Sequence, residues 1–136
     1  MSAGAGPLIE VVAAILWMDG RFLAVERPEG KAMAGLWEFP GGKIEPGETA
    51  EAALVRELLE ELGVKARKFA FWKEKTHAYP ALRVRLLFFH IHEFSGTPSP
   101  LEGQRMSWLS PGEAHVLPFL EADQDIVREL ATYAHA

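Results

Sequence analysis

The chain contains no cysteine, so it can form neither a disulfide framework nor a thiolate metal site. That composition fits a reducing cytoplasm. It has no apolar run of the ~18–20 residues that a membrane-spanning helix needs. Its first residues lack the basic stretch and apolar core of a secretory signal. Basic residues are in deficit, with 14 Lys and Arg against 19 Asp and Glu and a formal net charge of −5. Binding to a DNA or RNA polymer depends on neutralising phosphates with basic side chains, so neither a nucleic-acid polymer nor a membrane is an expected partner. A single nucleotide is a different ligand, because a metal ion can supply the positive charge. Internal repeats, low-complexity tracts and interdomain linkers are also missing.

What is present is a globular composition, 136 residues of which 49% are hydrophobic. That is enough for one domain with a proper core, expected over residues 1–136 with 1–7 as a mobile arm. Ile9 to Trp17 is a continuous apolar run and reads as a central strand buried on both faces. Asp19-Gly20 is a hairpin turn, with Arg21 to Glu26 as the returning strand. Arg27 to Gly35 reads as a loop, and Leu36 to Phe39 as a short strand that delivers Pro40-Gly41-Gly42. Arg67–His77 and Leu82–Phe94 suggest a second hairpin around Tyr79-Pro80. A loop at 95–104, a short strand at Met106–Leu109, a helical turn at Pro111–His115 and a final helix at Glu121–Tyr133 complete the chain. Leu120, Ile126, Val127, Leu130 and Ala131 would form that helix's apolar face. Strands interleaved with helices imply an α/β domain with a mixed sheet. His90 and His92 share a strand face, but with no third ligand nearby they read as ordinary strand histidines.

The stretch from Gly42 to Val64, GKIEPGETAEAALVRELLEELGV, organises the rest. Thr49 is suited to cap a helix start, Ala50 to Leu62 are mostly strong helix formers, and Gly63 is suited to end it. Leu54, Leu58 and Leu62 form an apolar stripe that Val55 and Leu59 would widen. Glu57, Glu60 and Glu61 fall at i, i+3 and i+4 and crowd one neighbouring face. Few local cations offset them: Arg56 can reach Glu60, and Lys65 can reach Glu61. Close, under-neutralised carboxylates are what a hard divalent cation selects.

These residues match the Nudix box at every fixed position: Gly42, Glu48, Arg56-Glu57-Leu58, Glu60-Glu61 and Gly63-Val64. The chain therefore resembles the Nudix family. Leu36-Trp37-Glu38-Phe39-Pro40-Gly41-Gly42, just before the box, is similar to its MutT-type branch, the nucleoside triphosphate pyrophosphohydrolases. The resemblance spans about Val11 to Leu130. It implies an α/β/α sandwich, a mixed sheet flanked by the box helix and a C-terminal helix. It implies hydrolysis of a nucleoside triphosphate, of the 8-oxo-dGTP or CTP type, with Mg²⁺ as cofactor and Mn²⁺ as a substitute, by a monomer or homodimer. Alternatives within the same resemblance are ADP-ribose or diadenosine-polyphosphate hydrolysis, or a non-catalytic ligand-sensing domain.

Carried over position by position, the resemblance implies metal ligation by Glu57, Glu60 and Glu61, by the carbonyl of Gly41, and by Glu102 from a distant loop. Glu57 and Glu102 are the candidates for general base, with Glu57 favoured. Arg56 is expected to orient the box carboxylates with Glu48 as its partner. Gly41 and Gly42 would let backbone approach the substrate closely. Arg27, Phe39, Tyr79 and Asp123 match positions near the nucleotide. Where 8-oxo-dGTP enzymes of this branch have asparagine, Asp123 stands here, as aspartate does in the related CTP enzymes. An ionised carboxylate only accepts hydrogen bonds and suits an exocyclic amino group. A carboxyl kept protonated by burial could instead donate to an oxidised guanine.

Overall fold

The computed structural model describes residues 6–132. Strand β1 (Leu8–Met18) is the axis of the sheet, and its apolar run is buried on both faces from Val12 to Trp17. Asp19 and Gly20 take φ angles of 54° and 76°, the double left-handed turn whose twist matches that of paired strands. The turn sets Met18 against Arg21 and Trp17 against Phe22, and so starts β2 (Arg21–Glu26). Next come two very short strands, β3 (Trp37–Glu38) and β4 (Gly41–Lys43). Helix α1 (Ala50–Leu62) follows, then β5 (Lys65–Ala78) and β6 (Arg83–Ser95). The chain ends with β7 (Met106–Leu109), a 3₁₀ turn at Pro111–Val116 and helix α2 (Glu121–Leu130).

The sheet order is β3-β2-β1-β6-β5, with β4 paired to β1 and β7 to β2. The sheet is mixed because β1 and β6 run parallel, from Leu8 opposite Arg83 to Leu16 opposite Ile91, while the other pairs are antiparallel. Alternation along the strands feeds two cores. Val12, Ala14, Leu16, Phe89 and Ile91 pack with Leu54, Leu58 and Leu62 of α1. Ala13, Ile15, Trp17, Phe88 and Phe39 pack with Ala122, Ile126, Val127 and Leu130 of α2. The result is the expected α/β/α sandwich, with one helix on each face.

Local chemistry sets the bounds of α1. Thr49 Oγ1 accepts a hydrogen bond from the Ala52 amide at 3.1 Å, which satisfies one orphan donor of the first turn. At the far end Gly63 adopts φ 71°, and the Gly63 and Val64 amides donate back to Leu59 and Leu58. Leu59 departs from the expected stripe: it is exposed, because the contact face narrows to Leu54, Leu58 and Leu62. Strand β4 has no period-two signal to read. It forms because Gly41, Gly42 and Lys43 pair with Ala13, Val12 and Val11. The final helix ends at Leu130 with Ala131 exposed. Tyr133, and residues 1–5 of the expected arm, lie outside the described residues.

Candidate active site

Pairing of β4 with β1 brings the two glycines beneath α1. A Cβ at Gly41 would collide with the Val12 carbonyl, and one at Gly42 would run into the Glu57 carboxylate. At Gly41 only glycine lets β4 approach β1 this closely, and at Gly42 any side chain would displace the Glu57 carboxylate. The Gly41 amide donates to Glu61 Oε2 at 3.1 Å. Glu61 is only 7% exposed. No cation is paired with it among the described residues, and burial is the main force pushing its pKa from 4.5 up to about 8. The Gly41 bond opposes that shift, while Glu38, Glu102 and Glu57 add to it.

Glu57 is also raised, chiefly by burial, with Arg56 opposing and Glu60 and Glu102 reinforcing. Glu38, on β3, is raised by burial as well, against the pull of Arg27. Arg27 Nη1 lies 3.2 Å from Glu38 Oε2, and Arg27 Nε donates to the Ala32 carbonyl at 2.7 Å. Arg27, expected near the nucleotide, is therefore tied to the rim of the carboxylate group. Glu38 is a member of that group which the motif did not reveal. Its one available signal was its position three residues before Gly41.

Arg56 is held like a keystone. Its Nε and Nη2 donate to the two oxygens of Glu48 at 2.7 and 2.9 Å, and Nη2 also donates to the Lys43 carbonyl at 3.0 Å. Such bidentate, charge-assisted pairs are the strong ones, and this one holds the Glu48 carboxyl down at about 2. The remaining nitrogen, Nη1, stands 3.2 Å from Glu60 and 3.4 Å from Glu57. The expected pairing of Arg56 with Glu48 is thus realised, and with it a bridge to two box carboxylates.

Among the described residues no three carboxylate or imidazole groups close around a single point. Glu60 turns outward to Arg56, and Glu102 is exposed on its loop. The Glu102 amide donates to Gln104 Oε1 at 3.0 Å, and the buried Gln104 amide donates to the Glu61 carbonyl at 3.4 Å. That relay anchors the Glu102 loop to α1, and the charge of Glu102 is felt at Glu38, Glu57 and Glu61. An all-oxygen donor set with more buried negative charge than it can neutralise fits a hard divalent cation.

The proposed base-binding positions lie on the α2 side. Phe39 is a core residue, its ring within 6.0 Å of those of Phe22, Phe88 and Phe119. Tyr79 accepts a hydrogen bond from the Ala122 amide at 3.3 Å, supplying a cap that Leu120 at the helix start lacks. Asp123 is buried, and its Oδ1 has no hydrogen-bond partner. Burial holds its carboxyl well above the usual aspartate range; Glu38 adds to this and Lys75 opposes it. His90 is buried and accepts from Trp17 Nε1 at 2.8 Å, and its ring stacks on exposed His92. The pair is part of an aromatic cluster with Trp72.

A family model described as NUDIX domain matches residues 11–129. The CTP pyrophosphohydrolase of Escherichia coli is 43% identical over 116 residues, covering 85% of this chain and 86% of that protein. The 8-oxo-dGTP diphosphatase of Haemophilus influenzae is 33% identical over 129 residues, covering 94% and 95%. A solved structure from a study of MutT of Aliivibrio salmonicida and Vibrio cholerae superposes with a TM-score of 0.79 at 31% identity, over 93% of this chain and 99% of that one.

Proposed function

We propose that this chain, which belongs to the Nudix family, hydrolyses a modified or non-standard nucleoside triphosphate to the monophosphate and pyrophosphate. The observation that carries this reading is the carboxylate group of Glu57 and Glu61, coupled to Glu38 and Glu102, in which Glu61 is buried with no cation paired to it among the described residues. Mg²⁺, or Mn²⁺ in its place, would be held by Glu57, Glu60, Glu61 and Glu102 with the Gly41 carbonyl; when bound it neutralises phosphate oxygens and acidifies water.

The chain's own residues supply the rest. Glu57, half-buried and with its pKa raised chiefly by burial, suits a general base that takes the proton of the attacking water; Glu102 is the second candidate. Arg56, clamped by Glu48, keeps Glu57 and Glu60 oriented. Gly41 and Gly42 let β4 pack close against β1 and the Glu57 carboxylate, which sets backbone and not side chain at the phosphate end. The activity would act on the cytoplasmic nucleotide pool.

At the other end of the substrate, Asp123 reads the base. Either oxygen of a neutral acid can carry the proton, so it can face a carbonyl beside a ring N–H as well as an amino group beside a ring nitrogen, whereas the ionised group only accepts and so demands an amino group, as in cytosine. Similarity to the CTP pyrophosphohydrolase supports this choice. The kcat/KM for CTP or 5-methyl-dCTP should exceed that for dGTP and dTTP by about tenfold or more, because a mismatch strands a buried polar group. This preference should sharpen as pH rises through the raised Asp123 pKa, because the ionised group only accepts. Asp123→Asn removes the ionised form, so it should shift the preference towards 8-oxo-dGTP by about tenfold or more and remove its pH dependence. Asp123→Ala should collapse the preference. Wild type favouring 8-oxo-dGTP at every pH would overturn the amino-base reading, and an unchanged ranking in Asp123→Ala would take Asp123 off the base.

A further inference from the structure

The last carbonyls of a helix have no partner within it. In α1 the Gly63 and Val64 amides serve Leu59 and Leu58, and the last turn carries no basic side chain. The Glu61 and Leu62 carbonyls are served from far along the chain. The Ser99 amide donates to Leu62 at 2.9 Å. The Leu101 amide, shared with the Ser99 carbonyl, donates to Glu61 at 3.2 Å. Gln104 Nε2 is a second donor to the Glu61 carbonyl, at 3.4 Å. Residues 99–104 thus close the C-terminal end of the box helix.

Glu102 rides on this closure. The Gly103 amide donates to the Pro100 carbonyl at 3.0 Å, and Gly103 takes φ 77°, so Glu102 is an inner residue of a tight turn. Its own amide donates to Gln104 Oε1 at 3.0 Å. One planar side-chain amide therefore accepts from the Glu102 backbone and donates to the Glu61 backbone. Gln104 is 5% exposed, so losing either bond strands a buried polar group. A carboxylate in its place would have no donor for the Glu61 carbonyl. Beyond Gln104 the chain is pinned to β2: the Glu26 amide donates to the Arg105 carbonyl at 2.9 Å, and Arg105 grips the Glu26 carboxylate through two bonds of 2.8 Å. The turn is held on both sides, by α1 before it and by β2 after it.

We propose that Gln104 is a positioning residue for the hydrolysis: with one amide it ties the Glu102 backbone to the Glu61 backbone, and so fixes where the Glu102 carboxylate starts relative to the α1 carboxylates before metal or substrate arrives. The inference rests on the reading of Glu102 as a member of the metal and general-base set. Gln104 acts through Glu102. The side chain of Glu102 is exposed and can turn, but the backbone that carries it moves with α1.

The test uses the full chain and Gln104→Met, which keeps an unbranched side chain of similar volume and removes both bonds. In metal-free wild type, ¹⁵N relaxation should give the Glu102 amide an order parameter near the rigid value of about 0.85. A value below about 0.6 there would show an unheld turn and overturn the proposal without any variant. Gln104→Met should loosen the Glu102 amide and speed its hydrogen exchange by about tenfold, while the Ser99 amide, bonded to Leu62, keeps its protection. With Mg²⁺ and saturating CTP, kcat should fall by about fivefold or more. In the Glu102→Gln background the same Gln104→Met change should alter kcat by less than about twofold, because its target is already lost. Losses that multiply in the double variant, or an unchanged Glu102 amide in Gln104→Met, would overturn the role of Gln104 and leave Glu102 in the site. Glu102→Gln turning over like wild type would bring down both.

Discussion

Glu61→Gln removes one charge and little else. The residue is 7% exposed, and its carboxyl accepts from the Gly41 amide, a bond that a glutamine oxygen can keep. Without metal, burial raises the Glu61 pKa from 4.5 to about 8. The native state therefore holds a proton that the unfolded chain has already released. Between those two values the native state binds more protons than the unfolded state, so stability must fall as pH rises through this window. At about 1.4 kcal/mol per unit, a shift of this size sets a ceiling of about 5 kcal/mol, and relaxation or water entry will reduce it. A realised loss of about 2–4 kcal/mol corresponds to roughly 8–16 °C in a domain of this length.

Glutamine does not titrate. In EDTA, melting curves from pH 5 to pH 9 should therefore converge at the acid end and separate at the alkaline end, with the variant the more stable. Saturating Mg²⁺ at pH 8 should reverse the order. Binding to the native state at a hundred times Kd stabilises by about 2.7 kcal/mol, and the variant should gain much less. Turnover in the variant should drop by a factor of at least about a hundred. Parallel melting profiles for the two proteins, or equal stabilisation of both by Mg²⁺, would refute the reasoning.

Two further substitutions test the geometry around that charge. Gly42→Ala forces a methyl group into the Glu57 carboxylate, and should lower kcat by about a hundredfold or more while circular dichroism still reports a folded protein; near-normal turnover would show that Glu57 can move without cost. Glu102→Gln acts on an exposed loop residue, so its melting temperature should stay within about 2 °C of wild type. Its kcat should fall by about tenfold or more, and equal turnover in the two proteins would remove Glu102 from the chemistry.

Much of this was readable in the sequence, for identifiable reasons. The bounds of α1 are written in residues that act locally, Thr49 as cap and Gly63 in a left-handed turn. The β1–β2 hairpin is equally local, since Asp19-Gly20 tolerates two positive φ angles. The carboxylate spacing of Glu57 and Glu61 lies on one helix and needs no tertiary knowledge. What escaped depends on partners distant in the chain. Strand β4 exists only because β1 pairs with it. Glu38 joins the carboxylate group only because β3 lies beside β2. The exposure of Leu59 reflects how narrow the contact face of α1 is. The register shift between Phe71 and Lys73 hid the amphipathic pattern of β5, because it inverts the alternation on which a strand reading depends. The protonated form of Asp123 was legible as an alternative, but the raising of its pKa was not, since burial and the charge of Glu38 come from elements more than forty residues apart in the sequence.

The central claim is that the chain splits a nucleoside triphosphate into monophosphate and pyrophosphate at the α1 carboxylates. Its most direct test is phosphorus NMR of CTP incubated with the purified chain, with Mg²⁺ and then with excess EDTA. The account predicts CMP and pyrophosphate as the initial products with Mg²⁺, and no turnover once the metal is chelated. Release of orthophosphate with CDP, or turnover that survives EDTA, would contradict it.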